Sequence, residues 1–109
     1  MGRWAQAARR GTPVSRLNDP NQGISDLYLD GVWYAAWSPE LGPDHWQWEA
    51  EAFVGIAWTP VGSGRVDGAE GGVAIGTVDP EATKVRARVA SVVCGQQLAW
   101  SAWFEVDVV

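Results

Sequence analysis

The sequence is poor in the residues that build metal centres and covalent cross-links. It holds one cysteine, one histidine and one methionine in 109 residues. A lone Cys94 rules out an internal disulfide framework and any cysteine-rich zinc module, and a lone His45 rules out a multi-histidine metal site. The longest apolar run is Ala52–Trp58, far short of the ~20 residues that a membrane-spanning helix needs. The formal net charge of −5 argues against nucleic-acid binding by the chain as a whole. The opening residues are basic but lack an apolar h-region, so they do not read as a secretory signal. Gln6 stands where a myristoylation site requires Ser or Thr. The expectation is a protein made in the cytoplasm, with no metal, no cofactor, no nucleic acid and no membrane.

Two residue types are in excess. There are 8 Trp against 2 Tyr and 2 Phe, and there are 13 Gly. Charge is also divided along the chain. Residues 1–17 carry Arg3, Arg9, Arg10 and Arg16 with no acid, whereas residues 18–109 carry four basic residues and all 13 acids, a net of −9. Gly11, Pro13, Pro20 and Gly23 keep the first segment from forming a long helix. Residues 1–23 therefore read as an extended basic arm. Its expected role is to dock on an acidic surface of a neighbouring subunit, with Trp4 as the anchor and arginines paired to carboxylates such as Glu49 or Glu105.

From residue 24 onward the apolar pattern has period two and breaks at turn residues every 8–12 positions, which predicts an all-β domain over 24–109. Ile24–Leu29 places Leu27 and Leu29 on one face and Asp26, Tyr28 and Asp30 on the other. Asp30-Gly31 predicts a type I′ hairpin turn. Trp33, Ala35 and Trp37 share the inward face of the next run, and Trp46, Trp48, Ala50 and Ala52 that of His45–Val54. Ile56 and Trp58 form a short fourth strand to Pro60. The stretch 62–72, with five glycines, reads as a mobile loop. Val73 and Ile75 face inward on a fifth strand. In Thr83–Val93, Val85, Ala87 and Val89 face inward while Lys84, Arg86 and Arg88 face out. Cys94–Gln97 turns the chain, and Leu98–Val109 is the seventh strand, with Phe104, Val106 and Val108 opposed to Trp103, Glu105 and Asp107.

In the last third, Val78-Asp79-Pro80 leads into Val85-Arg86-Ala87-Arg88-Val89, then Gly95, then Trp100-Ser101-Ala102-Trp103. This order and spacing, with Trp37-Ser38-Pro39 ending the second strand, resembles a fibronectin type III domain over residues 24–109. The family's corner tyrosine would fall at Lys84 and is missing, so a related immunoglobulin-like sandwich fits as well. The resemblance implies a seven-strand antiparallel β-sandwich with an N-terminal arm. Trp-Ser-x-Trp also resembles part of the motif of cytokine-receptor type III domains, in which rings interleave with arginines of the neighbouring strand. That implies Arg86 or Arg88 stacked on Trp100 or Trp103.

Little in the sequence carries chemistry. His45 has no Ser or Cys nearby and reads as an exposed strand-edge histidine. Cys94 reads as a partly buried bystander thiol. Glu49 and Glu51 sit two apart on one strand face, ~7 Å by strand geometry, without a polar cleft around them. Asp67, Asp79 and Glu81 match no calcium loop. Trp33, Trp37, Trp46 and Trp48 suit the core, whereas Trp4, Trp58, Trp100 and Trp103 are hard to bury together, and exposed tryptophan marks interfaces. The expected function is therefore non-enzymatic: a structural or interaction protein within an oligomeric assembly. By analogy of fold, it is a virion decoration or minor tail component that binds copies of itself or capsid or tail proteins. The alternative is a carbohydrate-binding module whose tryptophans stack on a host-surface glycan.

Overall fold

The computed structural model describes residues 23–38 and 43–108. These residues form eight strands: β1 (Ile24–Asp30), β2 (Val32–Trp37), β3 (His45–Val54), β4 (Ala57–Asp67), β5 (Gly72–Gly76), β6 (Ala82–Val93), β7 (Gln96–Gln97) and β8 (Phe104–Asp107). Among the described residues no helix is long and apolar enough to cross a membrane. One antiparallel sheet has the order β1-β2-β5 and the other the order β4-β3-β6-β7, with β8 also paired to β6. The described residues are thus all-β, a sandwich of two antiparallel sheets.

Alternation along β3 and over residues 84–89 of β6 builds the core between the sheets, and Ala90, Ser91 and Val92 are buried as well. Trp46, Trp48, Ala50 and Ala52 on β3 and Val85, Ala87 and Val89 on β6 are buried, as are Trp33, Ala35 and Trp37 on β2 and Phe104 and Val106 on β8. The four indoles lie inside, at a gross ~5 kcal/mol each from about 200 Å² of apolar burial per ring. Trp37 meets Trp46 edge-on at 5.8 Å. The Trp46 indole N–H donates to the Gly68 carbonyl at 3.1 Å, whereas the buried Trp37 Nε1 has no hydrogen-bond partner.

The glycine-rich stretch corrects the sequence reading. Residues 62–67 are not a loop but the second half of β4, paired to β3 from Ala50↔Gly62 to His45↔Asp67. The reason is Trp48. A Cβ on Gly62 would lie 3.3 Å from the Trp48 ring, and one on Gly64 3.2 Å from its Nε1. The indole lies against bare backbone, so bulk is absent from β4 because Trp48 occupies the space. The fourth strand also starts later than expected, since Gly55 (φ 66) and Ile56 form a two-residue turn, leaving Ile56 95% exposed.

Three other boundaries differ. At Asp30-Gly31 only Gly31 takes positive φ (79), and Asp30 pairs directly with Val32, so the turn is tighter than type I′. Leu29 lies inward but at the sandwich end, and is 46% exposed. The expected seventh strand is split: β7 and β8 lie on the same edge of β6, and residues 98–103 run between them outside the ladder. At Cys94-Gly95 both residues take positive φ (52 and 78) between paired Val93 and Gln96, the type I′ geometry.

Among the described residues β4 is the edge of its sheet, and it contains Pro60 opposite Glu51, followed by a bulge that leaves Val61 out of the β3 register. The Val54↔Ala57 pair closes a two-residue turn and is hydrogen-bonded, so alternation puts Pro60 at a non-bonded pair. Its nitrogen, which has no hydrogen, faces the open edge.

Glycine contacts rank two substitutions. A Cβ on Gly68 would lie 1.7 Å from the Pro43 carbonyl oxygen, backbone that cannot swing away. Gly68→Ala is expected to cost about 3 kcal/mol and Gly64→Ala about 1 kcal/mol, with urea denaturation midpoints giving the order. Equal midpoints would contradict this packing.

Candidate functional site

β6 directs alternate side chains to the outer face of its sheet, and there Arg86 and Arg88 organise a ladder of rings. Arg86 lies 4.0 Å from the Trp58 centroid and 4.1 Å from that of Trp103. Arg88 lies 4.3 Å from Trp103 and 4.7 Å from Trp100. Side chains two apart on one strand are ~7 Å apart, so Trp103 is sandwiched between the guanidiniums. The order is Trp58, Arg86, Trp103, Arg88, Trp100.

Each arginine is also fixed by a carboxylate on β3, directly across the ladder. Arg86 Nε donates to Glu51 Oε1 at 3.0 Å, and its Nη2 reaches the same oxygen. Arg88 Nε donates to Glu49 Oε2 at 2.6 Å, and its Nη2 pairs with the same oxygen. These side chains are a fifth to a third exposed. Beside them Lys84 pairs with Glu105 at 3.3 Å. The carboxylates that the sequence reading offered to the arm, Glu49 and Glu105, are thus already engaged within the sandwich. The arm residues themselves, Arg3, Trp4, Arg9, Arg10 and Arg16, lie outside the described residues.

Trp100 and Trp103 reach one face through the break between β7 and β8. Being three apart, they would face opposite sides of a regular strand. The pairing slips by two residues between Val92↔Gln97 and Lys84↔Asp107, and the extra backbone lifts both rings over the arginines. Ser101, 3% exposed, holds the break. Its N–H donates to the Val89 carbonyl at 2.9 Å, its Oγ accepts from the Val89 N–H at 3.1 Å, and the hydroxyl donates to the Ala102 carbonyl at 3.0 Å. A side-chain oxygen thus replaces the missing ladder carbonyl.

Trp58 was not anticipated in the ladder. The signal was the two-residue turn at Gly55-Ile56, which sets Trp58 opposite Phe53, with rings 5.1 Å apart, on the outward face shared with Glu51. A second aromatic pair, Tyr28 and Tyr34 stacked at 5.5 Å, lies on the outer face of β1-β2-β5.

The other candidates are dispersed. His45 is not on an edge: it lies on β3, half-buried, between Asp67 and Val92. Cys94 is exposed rather than partly buried, and its amide donates to Asp44 Oδ2 at 2.7 Å. Asp67 and Asp79 accept from nearby backbone amides. Among the described residues no three His, Cys, Asp or Glu side chains gather to hold a metal ion. Compared with protein-family models, curated proteins and solved structures, the chain matches none.

Ser101→Ala would strand the buried Val89 N–H. It is expected to destabilise the fold by about 1–3 kcal/mol and to red-shift tryptophan emission as the ladder loosens; unchanged stability and emission would refute the role given to the hydroxyl. A double-mutant cycle between Arg86 and Trp103 should give a coupling of ~0.5–1 kcal/mol, and zero coupling would show that the stack carries no energy.

Proposed function

We propose that this chain is a non-enzymatic interaction module with a fibronectin type III-like sandwich, in which β7 and β8 together count as the seventh strand. It works as a subunit of a larger protein assembly, most specifically as a virion decoration or minor tail component. The observation that carries this reading is how the outward tryptophans are used. Trp103 has a guanidinium against each face, and Trp58 and Trp100 each have one. A sugar-stacking platform needs free ring faces, and Trp103, the central ring, offers none, which favours the interaction reading over the carbohydrate-binding alternative. Half-exposed, rigidly held rings with arginines between them instead have the composition of a protein interface, which favours Trp and Arg over mobile Lys.

The division of charge supports the same reading. The described residues contain Arg65, Lys84, Arg86 and Arg88 against eleven acids, and three of these four cations are paired within the sandwich. The body is left acidic, while residues 1–17 carry four arginines and no acid. Each exposed ion pair contributes only ~0–1 kcal/mol, so binding by the arm draws mainly on Trp4 and on repetition across many copies.

Light-scattering mass of the full chain should exceed that of a monomer, in multiples that fall as salt rises. Deleting residues 1–17 should leave a monomer with the same circular dichroism. A truncated chain that assembles as well as the full one overturns this function for the arm.

A further inference from the structure

The inward stripes of β1 and β8 run past the core at one end of the sandwich. Leu27 and Val106 are fully buried, but Leu29 is 46% exposed and Val108 half-buried. Residues 77–80, leading from β5 towards β6, pass the same end. Leu29, Trp33, Val78, Pro80 and Val108 leave between them a hollow of about 240 Å³, the volume of roughly eight water molecules. Trp33, 4% exposed, is the most deeply buried of them. The β1–β2 turn does not close the mouth, because Gly31 takes φ 79 and open space lies where its Cβ would stand.

The rim of this hollow is of one charge. Asp79 lines it, and Asp30, Glu81 and Asp107 each adjoin a lining residue in the chain, whereas no lining residue or chain neighbour of one is Lys or Arg. The cation that pairing brings to this end, Lys84 opposite Asp107, is engaged by Glu105 at 3.3 Å. Asp79 is exposed, and the Glu81 amide, donating to its Oδ1 at 2.8 Å, fixes the carboxylate in place. We propose that the hollow is a docking site for a segment of a partner protein in which one large apolar side chain stands between basic residues. The apolar side chain enters against Leu29, Trp33 and Val108, and the flanking arginines or lysines meet Asp79 and its acidic neighbours. This rests on the function proposed above only in reading the chain as an interaction module.

Size and charge favour this occupant over others. The hollow admits one apolar side chain rather than the face of a helix or sheet, and a desolvated pocket inside a polar rim is where a single side chain contributes most to binding. The acids around it steer a cationic segment in and turn an anionic one away. A second copy of this chain brings the same four acids to an end-to-end contact, so like charges would face each other across it. An anionic membrane surface is repelled for the same reason. None of the rings or arginines of the outer ladder lines the hollow, so the two surfaces are separate.

The test titrates the dilute ¹⁵N-labelled full-length chain with three acetylated, amidated tripeptides: Arg-Leu-Arg, Arg-Ser-Arg and Glu-Leu-Glu. Arg-Leu-Arg should shift the amide signals of Gly31, Thr77, Val78 and Val108 in a saturable way. The other two should bind at least about tenfold more weakly, one for want of the anchor and the other through repulsion. Salt at about 0.5 M should weaken Arg-Leu-Arg several-fold as the rim is screened. Asp79→Asn, which keeps the oxygen that accepts from the Glu81 amide, should weaken it about threefold. Equal affinity for the three peptides, no saturable shift, shifts centred on Arg86, Arg88 and Trp103, or an Asp79→Asn chain that binds as well as the original would each overturn the proposal. The assembly reading is judged by mass, so either can fail while the other stands.

Discussion

The two-faced alternation of β6 is the constraint on which both halves of this structure depend. Val85, Ala87 and Val89 point into the sandwich, and Arg86 and Arg88 point out of it. The inward residues lock β6 between β3 and the β7/β8 edge, and that rigidity holds the arginines at the spacing of a tryptophan rung. A one-residue slip would exchange the two sets, burying two guanidiniums and exposing the valines, so the register is held by a large penalty on both faces. The ion pairs with Glu49 and Glu51 are modest in energy, but each lies directly across the ladder from its arginine and reads out the same register.

The core shows a related division of labour between indoles and glycines. Trp48 lies where Gly62 and Gly64 leave β4 bare, and Trp46 donates to the carbonyl of Gly68, itself pressed against Pro43. Large rings on β3 and missing side chains on β4 are two halves of one packing solution. This is how a domain of this size takes four tryptophans into its interior without swelling.

Much of this was legible in the sequence, and the failures have physical causes. Alternation along Val85–Val89 and Trp46–Ala52 identified strands, faces and core, because period two under strong burial admits one register. The arginine–tryptophan stack was implied by motif resemblance, but the route was not: Trp100 and Trp103 share a face only because the strand breaks between them. The stretch 62–67 read as a loop because local propensity sees glycines and cannot see the ring 14 residues earlier that fills their place. At Asp30-Gly31 a dipeptide with a well-known turn preference yielded to a one-residue connection, and this tighter register set Tyr28 opposite Tyr34.

Among the described residues no strand pairs with the far side of β4, and this has a further consequence. A strand of 11 residues at a sheet border is the kind of template on which chains can add to one another without limit, growing fibres rather than closed particles. Here the row of donors is interrupted at Pro60, whose ring nitrogen offers nothing to an incoming strand, and the backbone is bent at Val61 immediately afterwards. The border of β4 is therefore closed to indefinite main-chain growth.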